Sequence, residues 1–214
     1  MSPGRTAKAA RKSYHHGDLH RALLDAAVAL VDETKNWEFS LREVARRANV
    51  SHNAPYNHFS DKRDLLLAVA AEGYRQLSDQ LLRSTARSDG AKEALLASGR
   101  AYVHFGLKHP ALYRLMFGSV LVPSANERPE SLQQASDDAK RVLQGIILSG
   151  IETGAFKVSI PVKADHVVLA AWAQVHGLTM LLIDGLHVHS NERVEVLIEK
   201  SCEILLRGLG TGDD

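Results

Sequence analysis

Short polar side chains are concentrated near residue 50, and hydrogen bonding is the chemistry that they offer. His52, Asn53 and Asn57 follow closely after Ser51. Serine is a typical helix N-cap, so the sequence predicts a short helix from His52 to about Phe59. The major groove of DNA, about 12 Å wide, admits a helix whose leading face carries side chains of this kind. The cluster therefore predicts hydrogen bonds to base edges.

A second short helix must lie against the first to present it to a groove. Ser40 and Glu43 have the spacing of a capping box, and Leu41 and Val44 give the following residues an apolar face. Asn49 then stands where a tight turn needs a residue that tolerates left-handed backbone angles. Two short helices joined in this way predict a helix-turn-helix.

The remainder of the 214-residue chain favours packed helices. Hydrophobic residues make up 45% of the sequence but aromatic residues only 6%, whereas strands are enriched in aromatic and β-branched residues. Apolar spacing predicts further helices over 18–34, 65–81, 90–108, 110–117, 131–153, 164–186 and 191–209. A loop is predicted over 120–130. We therefore expect an all-α protein with a small N-terminal module and a larger C-terminal body.

Composition and charge divide the chain into three parts. Residues 1–13 are predicted to be a disordered arm, with basic but no acidic residues. Its basic residues are Arg5, Lys8, Arg11 and Lys12. Such an arm is attracted to a polyanion, although a solubilising tail has the same composition. Residues 14–62 are predicted to form the helix-turn-helix domain, and 63–214 a helical ligand-sensing and dimerisation domain.

Three strings within residues 14–66 closely resemble the tetracycline-repressor (TetR) family of regulators. They are Ser-Leu-Arg-Glu-Val-Ala at 40–45, Asn-Val-Ser-His-Asn-Ala-Pro-Tyr-Asn-His-Phe at 49–59, and Asp-Lys-Arg-Asp-Leu-Leu at 61–66. Two positions depart from the family pattern. Asn49 replaces the commoner turn glycine, and Asn57 stands where a basic residue is frequent. The second change removes a charge and affects the bases that would be preferred.

The resemblance implies which residues touch DNA. Those expected to contact phosphates carry hydrogen-bond donors: Ser40, Tyr56, His58 and Lys62. Those expected to face base edges are His52, Asn53, Ala54 and Asn57. Asparagine can form two hydrogen bonds with adenine, and an alanine methyl can contact a thymine methyl. Arg42 completes the predicted DNA-binding set.

The body also resembles part of this family, namely a subgroup with a Trp-His-Gly motif. The resemblance rests on residues 109–118 and 172–177. Large side chains are frequent in the same region, and apolar cavities with a few polar groups are typical of small-molecule sites. We therefore predict an effector pocket, although a plain core has the same composition. Its predicted residues are Tyr102, Phe105, Tyr113, Met116, Phe117, Trp172, His176 and Met180.

One short recognition helix reads too few base pairs for tight binding, so a homodimer is expected. Paired heads read a palindromic operator whose half-sites lie about 34 Å apart, or a multiple of this. The helices at 164–186 and 191–209 are the expected interface, and the alternative is that both are buried within one chain. The resemblance implies a repressor released from DNA when a small-molecule effector shifts the body between two conformations.

Other classes of function find little support in the sequence. Eleven histidines are present, including His187 and His189, but they match no metal-ligand spacing, so a metal-responsive regulator is only an alternative. No catalytic or cofactor fingerprint occurs, and we expect neither an enzyme nor a cofactor. The single Cys202 and the lack of an apolar signal or membrane span indicate a cytoplasmic protein. A helical protein-binding adaptor is the remaining alternative.

Overall fold

The computed structural model describes residues 16–118, 121, 128–157, 162–186 and 193–210, which form helices and no strand. The helices are α1 (His16–Thr34), α2 (Leu41–Arg47), α3 (Lys62–Thr85), α4 (Ala91–Lys108), α5 (Pro110–Phe117), α6 (Glu130–Glu152), α7 (Ala164–Ile183) and α8 (Val194–Gly208). The predicted all-α fold is confirmed. The predicted basic arm, most of the predicted loop, and His187 and His189 lie outside the described residues.

The capping box at the start of α2 forms as predicted. The Ser40 hydroxyl accepts a hydrogen bond from the Glu43 N–H at 3.2 Å, and the Glu43 carboxylate accepts one from the Ser40 N–H at 2.8 Å. This backbone hydrogen bond holds the pKa of the Glu43 carboxyl below its ordinary value, so the box stays intact at neutral pH. Leu41 and Val44 are buried, and the end of α2 is followed by Asn49 with a φ of 54°.

The predicted two-turn helix from His52 to Phe59 is wrong. A single 3-10 turn, Ala54–Asn57, stands in its place, and we call it the recognition turn. Pro55 explains the difference, because proline has no N–H and disfavours α-helical angles in the residue before it. Pro55 lies in the first turn, where no backbone hydrogen bond is lost, and its carbonyl accepts from the N–H groups of His58 and Phe59 at 3.0 and 2.9 Å.

Helix α3 joins the helix-turn-helix to the body through one continuous core. The same hydrophobic cluster contains Phe39 and Val44 of the N-terminal part, Leu65 of α3, and Phe105 and Leu112 of the body. All of these side chains are at most 5% exposed. The helix begins at Lys62 and packs against both parts. A domain boundary between residues 62 and 63 therefore stays a prediction.

A buried carboxylate lies at the junction between α1 and α3. Glu72 is 4% exposed, and Arg21 of α1 donates to both of its oxygens at 3.1 and 3.2 Å. Arg75 and Gln76 of α3 also donate to it. A buried charge is tolerated only when it is paired and hydrogen-bonded, so these donors are what allow Glu72 to occupy this position.

Two further contacts hold α1 and the start of α3 to the region around α5. The His109 imidazole lies 2.7 Å from the Asp32 carboxylate of α1, through Nδ1 and Oδ2. Arg63 donates to the Leu121 carbonyl from Nε at 3.1 Å and from Nη2 at 2.8 Å. Both ends of α5 are therefore linked to the N-terminal part of the chain.

Helices α7 and α8 bury only one face each. The buried residues of α7 include Val168, Ala171 and Leu182, whereas Leu169 is 59% exposed and Ile204 of α8 is 69% exposed. The alternative that both helices are buried within one chain therefore does not hold. Helix α7 is long and apolar enough to cross a membrane, but by length and composition alone many core helices of soluble proteins are as well.

The turn at Asn49 provides a test of backbone strain. We expect Asn49→Ala to lower the free energy of unfolding by about 1 kcal/mol, because alanine lacks the side chain that tolerates left-handed angles. Asn49→Gly, which removes the strain, should leave it nearly unchanged. Urea unfolding of both variants measures the difference. Equal stability of the two variants would contradict the assignment.

The buried carboxylate provides a second test. We expect Glu72→Gln to lower the free energy of unfolding by about 1–3 kcal/mol, because hydrogen bonds to a charged partner are lost in a buried place. Glu199→Gln is the matched control, since the pair of Glu199 with Arg100 is exposed on both sides and such pairs contribute about 0–1 kcal/mol. Both variants are measured by thermal and urea unfolding. If Glu72→Gln and Glu199→Gln lower the free energy of unfolding by the same amount, Glu72 has no special role.

Candidate DNA interface and effector pocket

The recognition turn and α2 expose most of the residues predicted to contact DNA. Arg42, His52, Asn53 and Asn57 are exposed, and the Tyr56 side chain is 54% exposed although it is large and aromatic. Phe59 lies behind them and is 3% exposed. A buried ring therefore supports the turn from within, while the amide, imidazole, phenol and guanidinium groups face outward. These groups supply the donors and acceptors that base edges and phosphates require.

Three predicted phosphate contacts have partners within the chain. The Ser40 hydroxyl donates to the Glu43 carboxylate at 3.1 Å. The Lys62 ammonium lies over the Phe39 ring, 5.7 Å from its centroid. The His58 ring is half-buried, with the His20 ring edge-on at 5.9 Å. Lys62 and His58 thus lie at the rim of the exposed surface, whereas Ser40 is engaged by its own capping box.

Ala54 does not take the place that was predicted for it. Its side chain is 8% exposed and belongs to the buried side of the recognition turn. The thymine contact expected from the resemblance requires an outward methyl group, which this geometry does not offer. The discrepancy follows from the 3-10 turn, because its residues repeat about every third position and not every 3.6 residues. Ala54 is therefore left out of the proposed interface.

The body contains a narrow, largely apolar pocket of about 60 Å³. Helices α3 to α8 all contribute to its wall. The lining residues are Tyr74, Leu77, Leu81, Leu95, Ser98, Gly99, Tyr102, Phe117, Ser136, Ala139, Lys140, Leu143, Ala171, Trp172, Val175, Cys202 and Leu205. Such a position between helices is where bundles commonly hold small molecules.

A hydrogen-bonded group of aromatic side chains closes one wall of the pocket. Trp172 donates from Nε1 to the Tyr102 hydroxyl at 3.1 Å. The Tyr113 hydroxyl lies 3.0 Å from the Tyr102 hydroxyl and 2.7 Å from Nδ1 of His176. Burial raises the pKa of both phenols and lowers the pKa of His176. All four groups are therefore uncharged near neutral pH.

The predicted pocket residues fall into three sets. Tyr102, Phe117 and Trp172 line the cavity, and Tyr113 and His176 support it from behind. Phe105, Met116 and Met180 do not line it. Phe105 and Met116 are 1% and 2% exposed, and Met180 packs against the same hydrophobic cluster. For these three the alternative interpretation as core is the better one.

Several lining residues were not predicted from the sequence. Tyr74 belongs to the connecting helix, and its hydroxyl donates to the Met116 carbonyl at 3.0 Å. Ser136 and Lys140 lie one turn apart on α6, in a stretch rich in polar residues. Cys202 is buried, and burial raises the pKa of its thiol. Because Ser136 and Lys140 lie in a polar stretch of α6, the sequence gave no signal that they border a cavity.

The histidines do not assemble into a metal centre in the part of the chain that the structure describes. There, no group of three or more histidine, cysteine, aspartate or glutamate side chains is placed to hold an ion. The pair of His20 and His58 rings packs against Phe59, with 5.0 Å between the centroids of His20 and Phe59. These two histidines therefore support the recognition turn.

Comparison with known proteins agrees with this arrangement over most of the chain. A solved structure of a protein of unknown function from Rhodococcus sp. RHA1 is 30% identical and has a TM-score of 0.79, covering 93% of this chain and 99% of that one. FadR from Bacillus subtilis, solved in complex with stearoyl-CoA, has a TM-score of 0.68 at 17% identity, covering 88% of this chain and 98% of FadR. The second likeness concerns the fold alone.

Similarity to curated proteins is more local. An uncharacterized HTH-type transcriptional regulator of Bacillus subtilis (strain 168), YobS, is 28% identical over 97 residues, which is 45% of this chain and 50% of that protein. The chain thus spans about half the length of the curated relatives that it matches. Membership in the Trp-His-Gly subgroup stays a prediction.

Family models match two successive parts of the chain. The model described as bacterial regulatory proteins of the tetR family matches residues 23–69. The model described as a tetracyclin repressor-like C-terminal domain matches residues 95–205, which is more than half of the sequence. The helix-turn-helix and the cavity-bearing body therefore have the order and the extent that the two models require, and the chain belongs to the TetR family of bacterial transcriptional regulators.

Proposed function

We propose that the chain is a homodimeric repressor that binds a palindromic operator and leaves it when a small molecule enters the body. The observation that carries this proposal is the exposed polar surface of the recognition turn, backed by the buried Phe59. Arg42, His52, Asn53 and Asn57 are the proposed groove contacts, with Tyr56 among the phosphate contacts. His58, Lys62 and Ser40 flank them.

The apolar face of α7 and α8 supports the homodimer. Ile204 and Leu169 are the two most exposed large hydrophobic residues of these helices. Ala170 and Ala173 of α7 are exposed as well, and a Cβ added at Gly177 would meet no atom within 4 Å in the described part of the chain. Small residues permit a close approach between helices, and exposed apolar surface favours burial. A second copy of the chain would bury both helices in a four-helix interface.

The effector mechanism follows from the size of the pocket. A volume of about 60 Å³ is well below the roughly 300 Å³ that small-molecule sites usually have. An effector must therefore widen the pocket, whose walls include Tyr74 of α3 and Phe117 of α5. Movement of these helices changes the placement of the helix-turn-helix. A ligand that binds the widened state more tightly would thereby lower operator affinity.

Selection from a random duplex library, followed by mobility shifts, tests DNA binding. We expect a palindromic preferred duplex and an affinity that falls steeply with salt, because phosphate contacts release counterions. A protein that shifts no duplex even at low salt would refute the proposed function. In that case the adaptor alternative would be favoured.

Two substitutions on the recognition turn should have different effects. We expect Tyr56→Phe to weaken binding to all duplexes by about three- to tenfold, because it removes one phosphate hydrogen bond. Asn53→Ala should weaken binding to the preferred duplex by about tenfold or more and leave other duplexes nearly unaffected, because it removes base contacts. Gln134→Ala, exposed on α6, is the control. Equal losses on every duplex for both variants would contradict these roles.

A charge placed on the apolar face should separate the dimer. We expect Ile204→Glu to convert the dimer to monomer at micromolar concentration in analytical ultracentrifugation, because a carboxylate in an apolar interface is costly to desolvate. Leu82→Glu is the matched control, since Leu82 is 54% exposed but lies on α3. The proposed interface is wrong if both variants remain dimeric, or if both become monomers.

A further inference from the structure

We propose that the effector is an anion with an apolar, partly aromatic body, and that Lys140 binds its anionic group. The inference rests on the proposed function, because it concerns the pocket assigned there to the effector. Its test measures ligand binding without DNA.

The charges that border the pocket are of one sign. Lys140 is basic, and none of the described residues that line the pocket is acidic. The other titratable groups of the wall are neutral, since burial raises the pKa of Tyr74, Tyr102 and Cys202. A cationic ligand would be repelled by Lys140, whose ammonium already lies over the Trp172 ring, whereas an anion would gain a charge-assisted contact.

Lys140 lies where it can serve both the pocket and solvent. Its ammonium is 5.6 Å from the centroid of the Trp172 ring, and its side chain is 48% exposed. Asp137, on the same helix, lies 3.9 Å from the ammonium. A solvent-exposed pair at this distance is weak, so it does not prevent the ammonium from turning to a ligand. Lys140 is therefore an available cation at the pocket's edge.

A second cation approaches the same end of the pocket. The Arg128 guanidinium acts on the Tyr74 hydroxyl and opposes the burial that raises the pKa of this group. The Ser136 hydroxyl acts on the same phenol and lies one turn before Lys140 on the same face of α6. Lys140 and Arg128 thus give this end of the pocket a net positive charge, whereas the Tyr74 O–H is already donated to the Met116 carbonyl. An anion at this end would be attracted by both cations.

The body of the ligand is indicated by the remaining wall. Tyr102, Phe117 and Trp172 form an aromatic side, with 6.3 Å between the centroids of Phe117 and both other rings. Their polar atoms are turned toward one another in the hydrogen-bonded group described above. Ring faces and aliphatic side chains are therefore what a ligand meets beyond the cationic end. Apolar and aromatic groups bind such surfaces best.

A series of ligands with one body and three head groups tests the inference. The probes are 4-phenylbutyrate, 4-phenyl-1-butanol and 4-phenylbutylammonium, titrated into the purified full chain by calorimetry. We expect the carboxylate to bind at least tenfold more tightly than the alcohol, and the ammonium more weakly than either. Equal affinities, preference for the ammonium, or no binding of the carboxylate would overturn the proposal.

Substitution of Lys140 assigns the preference to one side chain. We expect Lys140→Gln to lower the affinity for 4-phenylbutyrate about tenfold and to leave that for 4-phenyl-1-butanol unchanged. Lys140→Arg should retain most of the preference. Arg141→Gln, on the neighbouring exposed residue, is the control. Loss of alcohol binding by Lys140→Gln would show that the lysine only supports the wall, which would overturn its proposed role.

The outcome is distinguishable from a failure of the proposed function. Carboxylate binding that depends on Lys140 would support this inference even if the protein shifted no duplex. Conversely, the protein could bind an operator but prefer the alcohol or the ammonium. That result would support the proposed function as a regulator and overturn the proposal that the effector is an anion.

Discussion

The buried carboxylate of Glu72 sets the geometry on which the rest of the molecule depends. It lies in the middle of α3, and its charge is tolerated there because Arg21 of α1 and Arg75 donate to it. The requirement fixes α1 against α3, and α1 in turn packs against α2 and Phe59 through the common core. The orientation of the recognition turn relative to the body therefore depends on this paired charge together with the shared apolar core.

Much of the fold follows from local signals in the sequence. Ser40 and Glu43 mark the start of α2, Pro110 begins α5, and Asn49 provides the left-handed turn. Such signals act over three or four residues, so they depend little on how the helices pack against one another. The recognition turn shows their limit. The cap at Ser51 predicts an α-helix there, but Pro55 restricts the backbone of its neighbours. In the shorter 3-10 turn that forms, Ala54 is buried, whereas Asn53 and Asn57 remain exposed as predicted.

The pocket could be predicted only in part, for a different reason. The spacing of apolar residues indicates which face of a helix is buried. It does not indicate where the buried faces of several helices leave a cavity between them. Phe105 and Met116 are inward and fully packed, whereas Phe117 is inward and borders the cavity. Lys140 gave no signal of the pocket, because a lysine among polar residues indicates a solvent-facing position, and its side chain is indeed 48% exposed. The position of its ammonium over the Trp172 ring depends on how α6 packs against α7. The sequence between these two helices does not indicate that packing.

Helix α5 connects the pocket to the helix-turn-helix, and its shortness matters. Phe117 lines the cavity, and the Tyr113 hydroxyl is hydrogen-bonded to Tyr102 in its aromatic wall. Before the helix, His109 contacts Asp32 of α1, and after it the Leu121 carbonyl accepts a hydrogen bond from Arg63. A helix of 8 residues moves as a unit, so a displacement at the pocket reaches both contacts. Under the proposed function, a ligand that lowers operator affinity by shifting α5 would, by linkage, be bound less well when DNA fixes the helix-turn-helix. The two sites would then be coupled through the ends of one short helix.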